Sequence, residues 1–120
     1  MRRVQVGALL ALFVLASATP LLAQQGTSEI TGRITDEQGA VLPGVAIVIT
    51  NEATGVFREV TTSGEGTYFA SQLVPGRYKV VAKLTGFKSV ERTGLMLQVG
   101  TAMAVNIQLT VGGLEETITV

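Results

Sequence analysis

The sequence predicts an all-β fold, an antiparallel β-sandwich of about seven strands that follows a cleaved signal peptide. From Thr27 onward, β-branched residues alternate with polar ones. Gly, Asn or Pro interrupts this alternation at intervals of about 8 to 12 residues, which is the spacing of turns in a sandwich. No stretch has the apolar period of an amphipathic helix. At 120 residues, the chain is long enough for one such domain.

The first residues have the pattern of an export signal. A basic start, Met1-Arg2-Arg3, precedes a charge-free apolar run from Val6 to Ala18. The run is short for a membrane-spanning helix. We therefore predict that residues 1–23 form a signal peptide cleaved after Ala23, with Ala16-Ser17-Ala18 as a competing cleavage site. An uncleaved N-terminal anchor is the alternative.

The strands are predicted from rows of alternating apolar residues, and each row is expected to face the core. Turns are predicted at 36–39, 51–55 and 63–66, a type II turn at Pro75-Gly76, and a reversal at Gly100. Residues 103–111 alternate strictly and predict one long final strand. The predicted inward rows are Ile30, Gly32 and Ile34; Val45, Ile47 and Ile49; Tyr68 and Ala70; Tyr78, Val80, Ala82 and Leu84; Leu95, Leu97 and Val99; and Met103, Val105, Ile107, Leu109 and Val111.

The composition argues against most kinds of catalytic or metal site. The chain has no His and no Cys, which removes histidine-based acid–base catalysis, zinc–thiolate sites and disulfides. Its formal net charge is zero and its basic residues are scattered along the sequence, so we expect no extended cationic surface of the kind that binds nucleic acids. We expect a protein that is not an enzyme and that has no catalytic residues, no cofactor, no metal and no nucleic-acid partner.

Several short motifs at fixed intervals carry a family resemblance. In combination they make residues from Thr27 to Val111 resemble the carboxypeptidase regulatory-like domain. The resemblance implies a transthyretin-like, or prealbumin-like, β-sandwich, and places this domain at residues 24–111. The motifs are Thr31-Gly32-Arg33-Ile34-Thr35-Asp36, Leu42-Pro43-Gly44-Val45, Gly66-Thr67-Tyr68, Leu73-Val74-Pro75-Gly76-Arg77-Tyr78 and Gly86-Phe87.

The C-terminal residues 112–120 carry a second resemblance. They look like the junction between such a domain and the plug of a TonB-dependent outer-membrane receptor, with Gly112-Gly113 as a tether. The last five residues are similar to a Ton box, which implies binding to a TonB-type energy-coupling protein by strand addition in the periplasm. We expect this segment to be unpaired in the isolated domain; an ordinary edge strand of the sandwich is the alternative. The Ton-box-like residues are Glu116, Thr117, Ile118, Thr119 and Val120.

The receptor resemblance also implies a plug and a barrel at the outer membrane, which the chain up to Val120 does not contain. It predicts either a fragment of a longer receptor or a short product, and any transport would belong to the missing part. A carbohydrate-binding or cell-surface interaction module is the second hypothesis. Phe57 and Phe69 are its candidate contacts, because they lie off the inward rows. An accessory domain of a secreted peptidase is the third.

Overall fold

A computed structural model describes residues 26–112 and 117–119, which form two facing β-sheets. The predicted signal peptide lies outside the described residues, as do Glu116 and Val120. One sheet has four strands, with β1 between β4 and the two short strands β7 and β8; the other has five, in the order β3-β2-β5-β6-β9. The described strands are β1 Ser28–Thr35, β2 Ala46–Asn51, β3 Phe57–Thr61, β4 Thr67–Leu73, β5 Gly76–Lys83, β6 Ser89–Leu97, β7 Ala102–Ala104, β8 Ile107–Gln108 and β9 Thr117–Thr119.

The core lies between the sheets and is built from the rows that alternation predicts. Ile30 and Ile34 on β1 face Ile47 and Ile49 on β2, and all four are at most 1% exposed. Burying a large aliphatic side chain stabilises a fold by about 1.5 to 3 kcal/mol, so this layer is the main source of stability. Predicted core residues that are confirmed as buried are Ile30, Gly32, Ile34, Val45, Ile47, Ile49, Tyr68, Ala70, Tyr78, Val80, Ala82, Leu97, Val105, Ile107 and Leu109.

The prediction of an all-β sandwich is confirmed, but the sheets are mixed rather than purely antiparallel. Strands β7 and β8 run parallel to β1, and β9 runs parallel to β6. After Leu97 the chain crosses to the other sheet and meets β1 at its beginning, where Glu29 pairs with Ala102. Because it arrives at that end, it continues in the same direction as β1. Alternation reports which side chains are buried, and it contains no information about strand direction.

The predicted long final strand is divided into β7 and β8. At the break, the Asn106 side-chain Oδ1 accepts a hydrogen bond of 2.9 Å from the backbone N–H of Arg33. A side chain therefore takes the place that a backbone carbonyl would have in a continuous ladder. Two predicted core positions beyond the strand ends are also wrong: Val99 is 62% and Val111 is 76% exposed.

Two β-bulges shift the strand register. Between Tyr78 and Val80 of β5, the facing strand β6 contributes one additional residue, and Gly94 there has φ 69°. This bulge lets Val90 and Leu97 both face the core, although they are an odd number of residues apart. A second bulge lies in β4 opposite β1, where Gln72 has φ 57°.

The predicted turns at 36–39, 51–55 and 63–66 are confirmed by their backbone hydrogen bonds. The first is stabilised by Asp36, whose Oδ1 accepts from the N–H groups of Gln38 and Ala40, both at 2.9 Å. The type II turn at Pro75-Gly76 is wrong. Gly76 has φ 156°, far from the roughly +80° that position i+2 of that turn requires, and it already begins β5.

The buried side chain of Tyr68 on β4 connects β4 to the chain between β7 and β8, which lies on the other side of β1. It is 2% exposed, and its hydroxyl donates a hydrogen bond of 2.6 Å to the carbonyl oxygen of Val105. Burial raises the pKa of the Tyr68 phenol because the charged phenolate would be poorly solvated, and the nearby positive charge of Arg92 only partly opposes this rise.

This environment predicts a loss of stability at alkaline pH. Above pH 10, roughly the ordinary tyrosine pKa, the unfolded chain releases the Tyr68 proton while the folded protein retains it. The contribution of Tyr68 to the free energy of unfolding should therefore be constant below pH 10 and fall above pH 10. Tyr68→Phe should have a free energy of unfolding about 1 to 2 kcal/mol lower at pH 7, because it lacks the hydroxyl. Its free energy of unfolding should also fall less steeply above pH 10. Urea melts from pH 7 to 11 test this prediction. An equally steep fall in the free energy of unfolding above pH 10 for both proteins would contradict it.

Candidate functional site

Residues 117–119 of the C-terminal segment form one of the two edge strands of the five-stranded sheet. In β9, Thr117, Ile118 and Thr119 pair in parallel with Ser89, Val90 and Glu91 of β6. Ile118 is 40% exposed. The expectation that the segment is unpaired in the isolated chain is therefore wrong for these three residues, which form the edge strand named as the alternative. Binding of the segment to a partner stays a prediction.

The chain leading to β9 is attached to the domain up to Gly112. The backbone N–H of Gly112 donates a hydrogen bond of 3.1 Å to the Gly86 carbonyl, and Phe87 forms an isolated β-bridge with Val111. A Cβ at Gly112 would lie 2.3 Å from Cγ of Lys88, so a larger residue here would require the Lys88 side chain to move. Gly112 is thus a packed residue, and Gly113 lies outside the described residues.

The two candidate aromatic contacts, Phe57 and Phe69, are both exposed, at 66% and 56%. Phe57 pairs with Thr50 of β2, whose neighbours in sequence, Ile49 and Asn51, are buried, so Phe57 stands on the outer face of the five-stranded sheet. Phe69 pairs with Thr31, on the outer face of the four-stranded sheet. Since the two rings belong to opposite faces of the sandwich, they cannot form one stacking platform.

An apolar cleft opens where the edges of the two sheets meet, between β3 and β4. Its volume is about 240 Å³, and its floor is formed by Ile49, Leu73 and Tyr78. Arg58 spans the gap, because its guanidinium donates a hydrogen bond to the Ser71 carbonyl on the other sheet. The exposed apolar residues at the rim of this cleft are Val56, Phe57 and Val74.

The sequence predicted Phe57 as a candidate carbohydrate contact, and it gave no signal for Val56 and Val74. Both flank turns in the sequence, where isolated valines are common and carry no signal. Only the meeting of β3 and β4 from different sheets brings them around one cleft. Tyr78 fixes the cleft floor, since its hydroxyl donates a hydrogen bond of 2.5 Å to the Val74 carbonyl.

A protein-family model matches the part of the chain that contains most of the described strands. The model describes the carboxypeptidase regulatory-like domain and matches residues 29–110. The chain belongs to this family. This carboxypeptidase regulatory-like domain thus includes all the described strands except the beginning of β1 and β9. No curated protein matches the chain.

Solved structures with this fold come from varied proteins. The domain resembles the Bacillus anthracis TIE protein, with TM-score 0.59, 18% identity and coverage of 72% of this chain and 17% of that one. It resembles GBS52, the minor pilin of Streptococcus agalactiae, with TM-score 0.59, 13% identity and coverage of 73% and 46%. A candidate carbohydrate-binding protein from Bacteroides uniformis gives TM-score 0.56, 19% identity and coverage of 68% and 40%. The chain therefore spans less than half of each, and the likeness shows the fold alone.

The described residues contain neither a metal-binding cluster of side chains nor a membrane-spanning helix. No group of three or more acidic, His or Cys side chains is placed to hold a metal ion within 26–112 and 117–119. In the same residues, no helix is long and apolar enough to cross a membrane.

Proposed function

We propose that this chain is a non-catalytic, exported accessory domain, the periplasmic N-terminal extension of a TonB-dependent outer-membrane receptor-like protein. Its C-terminal segment, residues 116–120, would bind a TonB-type energy-coupling protein by adding a strand to the partner's sheet. The family supports a non-catalytic module. The basic and apolar N-terminus supports export, as does the likeness to a minor pilin.

The observation that carries the proposal is the strand conformation of Thr117–Thr119 at a sheet edge. The segment already uses its backbone to pair with β6, so it has the geometry that strand addition requires. The pairing is only three residues long, and Ile118 remains 40% exposed. A segment held by such a short pairing at a sheet edge can leave β6 and form a longer strand pairing with a partner protein. The domain would then hold the segment as a strand until the partner takes it.

Proline at position 118 tests the proposal. Ile118→Pro removes a backbone N–H and fixes φ, so it should weaken binding to the periplasmic domain of a TonB-type protein by about tenfold or more. Ile118→Val keeps the backbone and nearly the same shape, and should change the affinity by less than about threefold. Calorimetric titration measures both affinities.

Hydrogen exchange with and without the partner completes this test. The amides of 117–119 should exchange faster than those of β5 when the chain is alone, and should gain protection in the complex. Equal binding by the proline and valine variants, or unchanged exchange on adding the partner, would exclude strand addition by this segment.

A carbohydrate-binding or cell-surface module is the second candidate function. The exposure of Phe57 and Phe69 favours it, together with the likeness to the Bacteroides uniformis protein. Because the rings lie on opposite faces, we expect no measurable affinity for neutral starch or cellulose oligosaccharides. Calorimetry with maltohexaose and cellohexaose tests this. A sub-millimolar dissociation constant that Phe57→Ala or Phe69→Ala abolishes would place this function first.

A further inference from the structure

A polar cleft of about 610 Å³ opens along β1 and the chain from β7 to β8 in the four-stranded sheet, and Arg92 of the other sheet also lines it. This volume is in the range of small-molecule binding sites. We call it the arginine cleft, because two of its lining residues are Arg33 and Arg92. The hydroxyl and amide side chains that line it with them are Thr31, Thr35, Thr67, Asn106 and Gln108.

The cleft carries uncompensated positive charge. Arg33 is an exposed residue of β1, whereas Arg92 reaches the cleft from β6 of the other sheet. Nε of Arg92 is buried and has no hydrogen-bond partner among the described residues. Within that part of the chain, no carboxylate oxygen lies within 4.0 Å of either guanidinium. Glu29 shares the outer face of β1 but lines a neighbouring cleft. Two guanidinium groups in one cleft favour a ligand with a carboxylate, which each can bind through two parallel hydrogen bonds.

The neutral groups around the arginines suit a sugar. The side-chain oxygen of Asn106 already accepts a hydrogen bond of 2.9 Å from the backbone N–H of Arg33. The side-chain amide nitrogen of Asn106 is therefore the group left to donate to a ligand. The 56% exposed ring of Phe69 stands beside the cleft as the cross-strand neighbour of Thr31. An exposed ring next to hydroxyl and amide side chains can stack on the apolar face of a sugar while those groups bind its hydroxyls.

We propose that the arginine cleft binds an acidic oligosaccharide of hexuronate units. Arg33 and Arg92 hold a uronate carboxylate, Asn106 and the threonines contact hydroxyl groups, and Phe69 stacks on an adjoining sugar ring. This inference names a ligand class for the carbohydrate-binding alternative and is independent of strand addition by 116–120. Its failure would leave the receptor proposal untouched, because the two use different variants and partners.

Calorimetric titration of the purified protein with trigalacturonate is the test, with maltotriose and a tri-glutamate peptide as the other arms. We expect binding of trigalacturonate that weakens as salt is added, and no binding of the neutral sugar or the peptide. Arg33→Gln and Arg92→Gln should each weaken the affinity by about tenfold or more, since each removes charge-assisted hydrogen bonds. Phe69→Ala should weaken it by about twofold to tenfold.

The matched control is Arg77→Gln, which removes the same charge from an exposed position on β5 in the other sheet. It should leave the affinity unchanged. Circular dichroism checks each variant for folding; if Arg92→Gln is unfolded, Arg33→Gln decides alone, because Arg33 is exposed. Absence of trigalacturonate binding, equal binding of maltotriose or tri-glutamate, or equal losses for Arg33→Gln and Arg77→Gln would each overturn the proposal.

Discussion

Gly32→Ala should destabilise this domain by about 3 kcal/mol or more, because the added methyl group has no room in the described structure. A Cβ at position 32 would lie 2.0 Å from the carbonyl oxygen of Val105 and 2.7 Å from Cε1 of Tyr68. The first of these is a backbone atom held by pairing of the chain to β1, so it cannot rotate away. Relief would require β1 to separate from the chain between β7 and β8.

Gly64→Ala is the matched control for this substitution. No heavy atom lies within 4 Å of the position that its Cβ would occupy, and Gly64 is not among the glycines with positive φ. It should change the free energy of unfolding by less than about 0.5 kcal/mol. Urea melts of the two variants give the comparison. Similar midpoints for Gly32→Ala and the unmodified protein would mean that β1 and Val105 are not in contact as described.

Tyr78→Ala should cost about 3 to 5 kcal/mol, because it leaves a cavity beneath the apolar cleft and removes a hydrogen bond. Tyr78 is 4% exposed, and its cross-strand neighbours are Asn51 on β2 and Leu95 on β6. Tyr78→Phe separates the two contributions, since it loses only the hydroxyl that donates to Val74. It should cost about 1 kcal/mol.

Lys79→Ala, at the next residue, is the control for strand orientation. Lys79 faces outward and pairs with Glu91 at 3.6 Å, with both side chains partly exposed. Such an ion pair contributes little in water, so the loss should be less than about 0.5 kcal/mol. Urea melts measure all three variants. Equal losses for Tyr78→Ala and Lys79→Ala would be incompatible with the alternation of β5.

The candidate contacts were only partly accessible from the sequence. Exposure of Phe69 follows from alternation, because it lies between the inward residues Tyr68 and Ala70. Phe57 was predicted to be exposed because it belongs to none of the inward rows. Their placement on opposite faces depends on which sheet each strand joins, and alternation does not report that. The arginine cleft was missed entirely. Its two arginines are 59 residues apart and come from different sheets, so no local spacing connects them.

Alternation and turn residues are enough to predict the all-β class, most of the core and the positions of three turns. These are local properties: alternation places Ile47 and Ile49 on one face, and the Asp36 carboxylate closes its own turn. Four features could not be predicted from local patterns: the parallel pairing of β7 and β8 with β1, the break at Asn106, the Gly94 bulge and the docking of Thr117–Thr119 beside β6. Each of these depends on which strand is nearest in space, and that is fixed by packing the two sheets against each other rather than by neighbours in the chain.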